Sequence, residues 1–308
     1  MAEPHITNKV YTVTKSEPPE TPEAFSLFGE PLNQQPPLPE VVEKQKALYD
    51  KALMDWEKKP EDADAVIWLG RRTAYLGRIR EAAAIFSQGI EAHPDDPRMH
   101  RHRGHRFISL RLFDQAIDDL ERAAELIEGT ADEIEPDGIP NERNQPVSSL
   151  HFNVWYHLGL AYYLVGDYES ALSCYEECLK VSEIPDKLVA TTHWTYMTLR
   201  LLERNVEAEE LLAPITEEMD IIENQHYHRL LLMYKGILNP DELMKDARSQ
   251  GPLAVATVGY GVGNWYLYNA SVEKAVEIYN EILDTGGWAG FGYIAAEADL
   301  KWLSLPQE

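Results

Sequence analysis

The sequence predicts an all-α chain of stacked helical hairpins, entered through an extended N-terminal arm. Three observations predict it. Residues 152–183 read as two antiparallel helices joined at Gly166-Asp167: Trp155, Leu158, Gly159 and Tyr162 share one face by their one-turn spacing, as do Ala171, Tyr175 and Cys178 on the second helix. Gly159 and Ala171 are small where two helices must approach, while Trp155, Tyr162 and Tyr175 fill the space around them. Small residues also recur at a fixed distance, with Gly104 lying 34 residues after Gly70. Finally, no stretch of the chain shows the alternation of a half-buried strand. A single hairpin of this kind cannot bury its apolar face alone, so an array is expected.

The elements follow in order. Residues 1–39 carry eight prolines, which remove backbone donors and hold the chain extended; Phe25, Leu27, Phe28 and Leu32 give this arm something to dock with. Residues 40–308 form the repeat domain. Its first helix, at residues 39–59, carries Val42, Gln45, Leu48, Ala52, Met54 and Trp56 and ends an incomplete first repeat. Full repeats are expected at 63–96, where Leu69, Gly70, Ala82 and Phe86 match Leu158, Gly159, Ala171 and Tyr175, and at 97–127, where Ala116, Leu120 and Ala123 keep register. Arg103 and Arg106 break the pattern of that second repeat, which weakens its core or gives the two arginines partners. Gly104 and Gly159 lie 55 residues apart, a period of 34 plus an insertion of 21, and the excess falls in the Pro-, Gly-, Asp- and Asn-rich loop 130–149. Further repeats are expected at 152–185, at 189–215 with Tyr196 in the glycine slot, in degenerate form at 222–250, and at 256–285 with Gly263, Tyr266, Ala275 and Tyr279 in register. A capping helix at 293–302 closes the array.

The combination W-x2-L-G-x2-Y followed by A-x3-Y, here Trp155, Leu158, Gly159, Tyr162, Ala171 and Tyr175, resembles the tetratricopeptide repeat, whose period is 34 residues. The resemblance covers about residues 40–285. It implies a right-handed α-solenoid that acts by binding a protein or peptide rather than by catalysis, with the first helix of each pair lining a concave groove. The family's groove-facing slots then fall on Arg71 and Tyr75, on Arg98, Arg101 and His105, on Asn153, Tyr156 and Tyr163, on His193, Met197 and Arg200, and on Tyr260, Asn264 and Tyr268. The carboxylate-clamp members of the family, which grip chaperone C-terminal peptides, have Lys and Asn where Ile67 and Arg71 stand here, so that function is not carried over.

Charge narrows the partners. The formal net charge of −24 argues against duplex nucleic acid and anionic membranes. Yet residues 71–111 hold nine arginines, no lysine and only four acids. Arginine suits bidentate recognition of carboxylate or phosphate, so the groove is expected to accept an acidic ligand; the competing expectation pairs these arginines with the chain's own Asp132, Glu133, Glu135 and Asp137. No run of 18 apolar residues is present, so no membrane span is expected, and the compartment is read as cytoplasmic or, if an export signal has been removed, periplasmic or extracellular.

Catalytic and metal signatures are weak. His100 and His102 point to nearly opposite sides of a helix; His102 and His105 share a side, but no HExxH or cysteine pair supports them, and no metal or cofactor is expected. Gly259, Gly261 and Gly263 imitate a phosphate loop without the strand before it. Cys174 and Cys178, four apart on one helix, lack disulfide geometry and read as buried free thiols. Two readings remain: a binding scaffold with an anion-accepting groove, or an enzyme or small-ligand binder with a pocket around Arg101, His105, Tyr156 and His193, closed by the 130–149 loop.

Overall fold

The structure, a computed structural model, describes residues 21–33 and 39–305. Expectations for residues 1–20, 34–38 and 306–308, including most of the proline-rich arm, lie outside the described residues. The described arm is a two-stranded hairpin, β1 (Ala24–Phe25) and β2 (Pro31–Leu32), turned at Gly29 with φ 84°. It corrects the strand-free expectation, though only four residues are involved.

The rest is helical: α1 (Pro39–Lys58), α2 (Ala63–Tyr75), α3 (Ile79–Ala92), α4 (Pro97–Ser109), α5 (Phe113–Ile127), α6 (Leu150–Leu164), α7 (Tyr168–Lys180), α8 (Pro185–Leu201), α9 (Asn205–Leu211), α10 (Gln225–Tyr234), α11 (Pro240–Gln250), α12 (Pro252–Tyr268), α13 (Val272–Asp284) and α14 (Phe291–Leu303). Side chains open several of them. Asp62 accepts from Ala65 N, Asp96 from Arg98 N, Asp167 from Ser170 N, and Asn239 from Asp241 N and Glu242 N, satisfying donors that the first helical turn leaves free. Pro97, Pro185, Pro240 and Pro252 stand at helix starts, where a missing N–H costs nothing.

The repeat pattern has a direct physical cause. Gly70, Gly104, Gly159 and Gly263 each meet the side chain sixteen residues on, Phe86, Leu120, Tyr175 and Tyr279, and a Cβ at any of them would lie 2.5–2.7 Å from it. Where Tyr196 takes this slot, α8 and its partner cannot close in the same way. There α9 spans only seven residues, and Tyr196 stacks instead on Tyr234 of α10 with ring centroids 4.3 Å apart.

Two expectations about packing need correction. Trp155 is only half-buried, whereas Trp194 is 1% exposed between Tyr163 and Tyr260. The aromatic residues of the arm do not dock it either: Phe25 and Phe28 are exposed, whereas Ala24 and Leu32 are buried. Polar contacts do the rest. Glu23 accepts from Arg80 N, Leu27 N donates to Glu297 Oε1 at 2.6 Å, and Trp288 Nε1 donates to Asn33 O at 2.7 Å.

The last helix decides the shape of the interior. Rather than only covering the end of the array, α14 packs on α12 and α13 and reaches back to α6. Phe291 lies against His105 of α4 and His157 of α6, with centroids 5.1 and 5.5 Å away. Glu297 meets Arg111 at the end of α4, with N–O distances of 3.0 and 2.7 Å. The inner face of the solenoid is therefore crossed by the chain's own C-terminal helix.

Candidate functional site

The second cover on the inner face is the segment between α5 and α6. It is held at both ends by backbone bonds, Glu135 N to Ser148 O and Leu150 N to Glu133 O, and its tip is tied by Arg143 to Asp220 at 2.6 and 2.7 Å. The loop expected at 130–149 is thus an ordered strap. Gly138 allows it to sit down: a Cβ there would lie 1.9 Å from the Tyr75 hydroxyl, so any larger residue would lift the strap off α2.

The strap takes its position from the arginines of α2 and α4. Arg71 donates to Pro136 O and Arg72 to Gly138 O, both at 2.7 Å. Glu135 enters the cluster itself. Its Oε1 lies 3.2 Å from Arg101 Nη2 and 4.0 Å from Arg71 Nη1, while Oε2 accepts from Asn153 Nδ2 at 2.9 Å. Arg101 also donates through Nη1 to His102 Nδ1 at 2.7 Å, which places the imidazole proton on Nε2. Burial holds His102, His105 and His157 well below the usual histidine range, and the nearby arginines push the same way, so these rings are neutral at pH 7. His157 uses its Nδ1–H on Asn153 O at 2.5 Å.

Between strap and helices remains a cavity of about 260 Å³, lined by Arg71, Tyr75, Arg101, His105, Arg106 and Glu135 among others. Four of the expected groove residues, Arg71, Tyr75, Arg101 and His105, therefore converge. The others lie elsewhere. Arg98 is bound to Asp96 and Asp64 at the N-terminal edge of α4, with distances of 2.6 Å to each. Tyr156 donates to Tyr227 at 3.3 Å, and His193 stacks on Tyr227 and Tyr234 with centroids 4.8 and 5.9 Å apart. Tyr163, Tyr260 and Asn264 form a buried cluster, the hydroxyls 2.7 Å apart and Asn264 Nδ2 donating to Tyr163 at 3.1 Å. Arg200 donates to the Tyr196 hydroxyl and lies 4.3 Å over the Tyr268 ring. In these places α8, α10, α12 and α14 close on one another, and residues expected to face a groove face a neighbouring helix. A single pocket joining Arg101 and His105 to Tyr156 and His193 is not what the helices build.

The two arginines that break the repeat pattern separate cleanly. Arg103 is paired, donating to Asp119 of α5 at 2.7 and 2.6 Å and to Ser87 at 3.0 Å. Arg106 lines the cavity, and its side chain has neither hydrogen bond nor ion pair among the described residues. Burial pushes its guanidinium down to about 10, with Arg101 and Arg71 adding to the effect. Its misfit in the sequence was the signal for this site, since an arginine in an apolar slot needs a reason.

Cys174 and Cys178 are buried free thiols, and burial pushes both up to about 12. Both are expected to label slowly with a maleimide in the native state and fast in denaturant. Native labelling as fast as that of the unfolded chain would place a thiol at the surface.

Among the described residues, no helix is long and apolar enough to cross a membrane. Two family models described as tetratricopeptide repeat match the chain, one over residues 69–132 and one over 152–183. No curated protein matches it. Among solved structures, a tetratricopeptide repeat protein from Parabacteroides merdae is 17% identical over 84% of this chain and 98% of its own, with a TM-score of 0.49. YrrB, described as a TPR protein with an unusual peptide-binding site, is 15% identical over 77% of this chain and 93% of its own, with a TM-score of 0.44. The matched segments coincide with the helix pairs that close on Gly70, Gly104 and Gly159, so that residues 69–132 and 152–183 of the chain are tetratricopeptide repeats.

Proposed function

We propose that the protein is an interaction scaffold whose inner face takes an acidic segment of a protein or peptide. The observation that carries this reading is Glu135: a carboxylate of the chain's own strap lies among Arg71, Arg101 and His102, in the position an acidic ligand would take. Guanidinium groups bind carboxylates with directional, charge-assisted bonds, and the surrounding negative charge favours only those acidic ligands that reach the cluster. The strap is then an internal competitor. The small-ligand alternative is supported in one respect only, since Arg101 and His105 do share a strap-covered cavity.

The test is fluorescence anisotropy with a labelled glutamate-rich peptide. Glu135→Gln removes the competing charge and is expected to tighten binding about three- to ten-fold, whereas Arg71→Gln weakens it by a similar factor. Arg101→Ala is not the clean probe its sequence position promises. Arg101 is 7% exposed and bonded to both His102 and Glu135, so its loss would disturb the strap itself. Absence of saturable binding in both the native protein and Glu135→Gln would overturn the acidic-ligand reading.

A further inference from the structure

The cavity beneath the strap has more positive charge than its own carboxylates balance. Arg71, Arg101 and Arg106 face only Glu135 and Asp137 there. Glu135 is already committed to Arg101, Arg71 and Asn153. Asp137 has no hydrogen bond or ion pair among the described residues, and burial raises its carboxyl above the usual range. Arg106 is left over. Two further nitrogens of the wall, Arg101 Nε and His105 Nδ1, are buried without a hydrogen-bond partner. Polar groups in such places are nearly always bonded, so the unpaired Arg106 side chain, beside two buried nitrogens without partners, marks a place for an acceptor.

We propose that this cavity seats a small oxyanion, a carboxylate or a phosphate, gripped by Arg106 with Arg101 and His105 at its wall. Size selects the class. At about 260 Å³ the space is below the roughly 300–1,000 Å³ of drug-sized pockets, enough for a compact anion. The neighbours select the charge. Arg106 feels Arg101 and Arg71 as well as Glu135, beside the neutral ring of His105, so an incoming anion relieves the repulsion among the three arginines as well as forming charge-assisted bonds. Tyr75, whose hydroxyl sits against Gly138 of the strap, lines the same cavity. The seat deepens the acidic-ligand reading and rests on it for the sign of the ligand, but not for the ligand's being a peptide.

Isothermal titration of the full chain with acetate, succinate and inorganic phosphate, at matched ionic strength against chloride, tests it. Saturable binding with one site is expected from at least one of the three, and which one responds distinguishes a carboxylate from a phosphate seat. Arg106→Gln should weaken that binding about ten- to a hundred-fold, and Arg106→Lys, which keeps the charge without the fork, by less. Circular dichroism of both variants must match the native protein. Should Arg106→Gln fail to fold, Asp137→Asn supplies the second test, because removing a competing carboxylate should tighten binding. No heat beyond the chloride control with any of the three anions, or binding indifferent to both substitutions, overturns the seat. A glutamate-rich peptide that binds while the small anions do not leaves the scaffold standing without the seat. Small anions that bind through Arg106 while the peptide does not leave the seat without the scaffold.

Discussion

Replacing Glu297 by alanine is expected to cost about 3–5 kcal/mol of folding free energy, the usual consequence of leaving one partner of a buried ion pair alone. Glu297 is fully buried and the Arg111 side chain 3% exposed, so neither can turn to water. The backbone adds to the case. Arg111 has φ 62°, a left-handed conformation that costs a side-chain-bearing residue roughly 1–2 kcal/mol, at a turn where Gly77 and Gly166 stand in neighbouring repeats. The side chain at this turn reaches the last helix. Glu297 also receives Leu27 N, so the same substitution should release the hairpin. Denaturant melts measure the first effect, and hydrogen exchange at residues 24–33 the second. Replacing Arg111 and Glu297 together by Met and Leu should recover much of the loss, because no charge is then stranded. A loss below about 1 kcal/mol with unchanged exchange in the hairpin would show that α14 is not clasped through this pair.

Trp194→Ala should be as costly, about 3–5 kcal/mol, because a fully buried indole leaves a cavity that its neighbours cannot fill. Those neighbours come from several helices: Tyr163 of α6 at 5.2 Å, His193 of α8 at 5.6 Å and Tyr260 of α12 at 5.7 Å between ring centroids. They are themselves bonded to further groups and so are poorly placed to collapse inward. Trp155→Ala should cost only about 1–2 kcal/mol, since its half-exposed ring loses less buried area. Equal losses for the two tryptophans in urea melts would contradict this assignment of the interior.

The contrast between the two tryptophans shows where one-dimensional reasoning stops. Trp155 stands at a slot of the repeat pattern, and the pattern correctly places it on a helix face beside Leu158 and Tyr162. Burial depends on what lies across from that face, and Trp155 is covered there only in part. Trp194 carries no comparable pattern, because the slot of its repeat that should be glycine is Tyr196. Its burial follows from the approach of α10 and α12, which are far from it in the chain. The thiols were legible because Cys178 occupies a repeat slot whose neighbours are local.

The candidate site divides in the same way. That arginines of α2 and α4 face inward follows from the groove-facing slots that the family resemblance implies, and that acids of the insertion compete for them follows from charge. That Glu135 rather than Asp132 or Glu133 enters the cluster depends on the bonds that fix the strap's register, Glu135 N to Ser148 O and Leu150 N to Glu133 O. The burial of Tyr156, Tyr163, His193, Tyr260 and Asn264 depends on the solenoid's curling until its own first helices and α14 meet. No local pattern records that curl. The sequence by itself determined the helices, their pairing and the 34-residue period, because each rests on contacts sixteen or so residues apart. Only the tertiary structure decided which inner surface stays open. That outcome rests on contacts such as Arg111 with Glu297, 186 residues apart, whose free energy is gained only once the whole chain has closed.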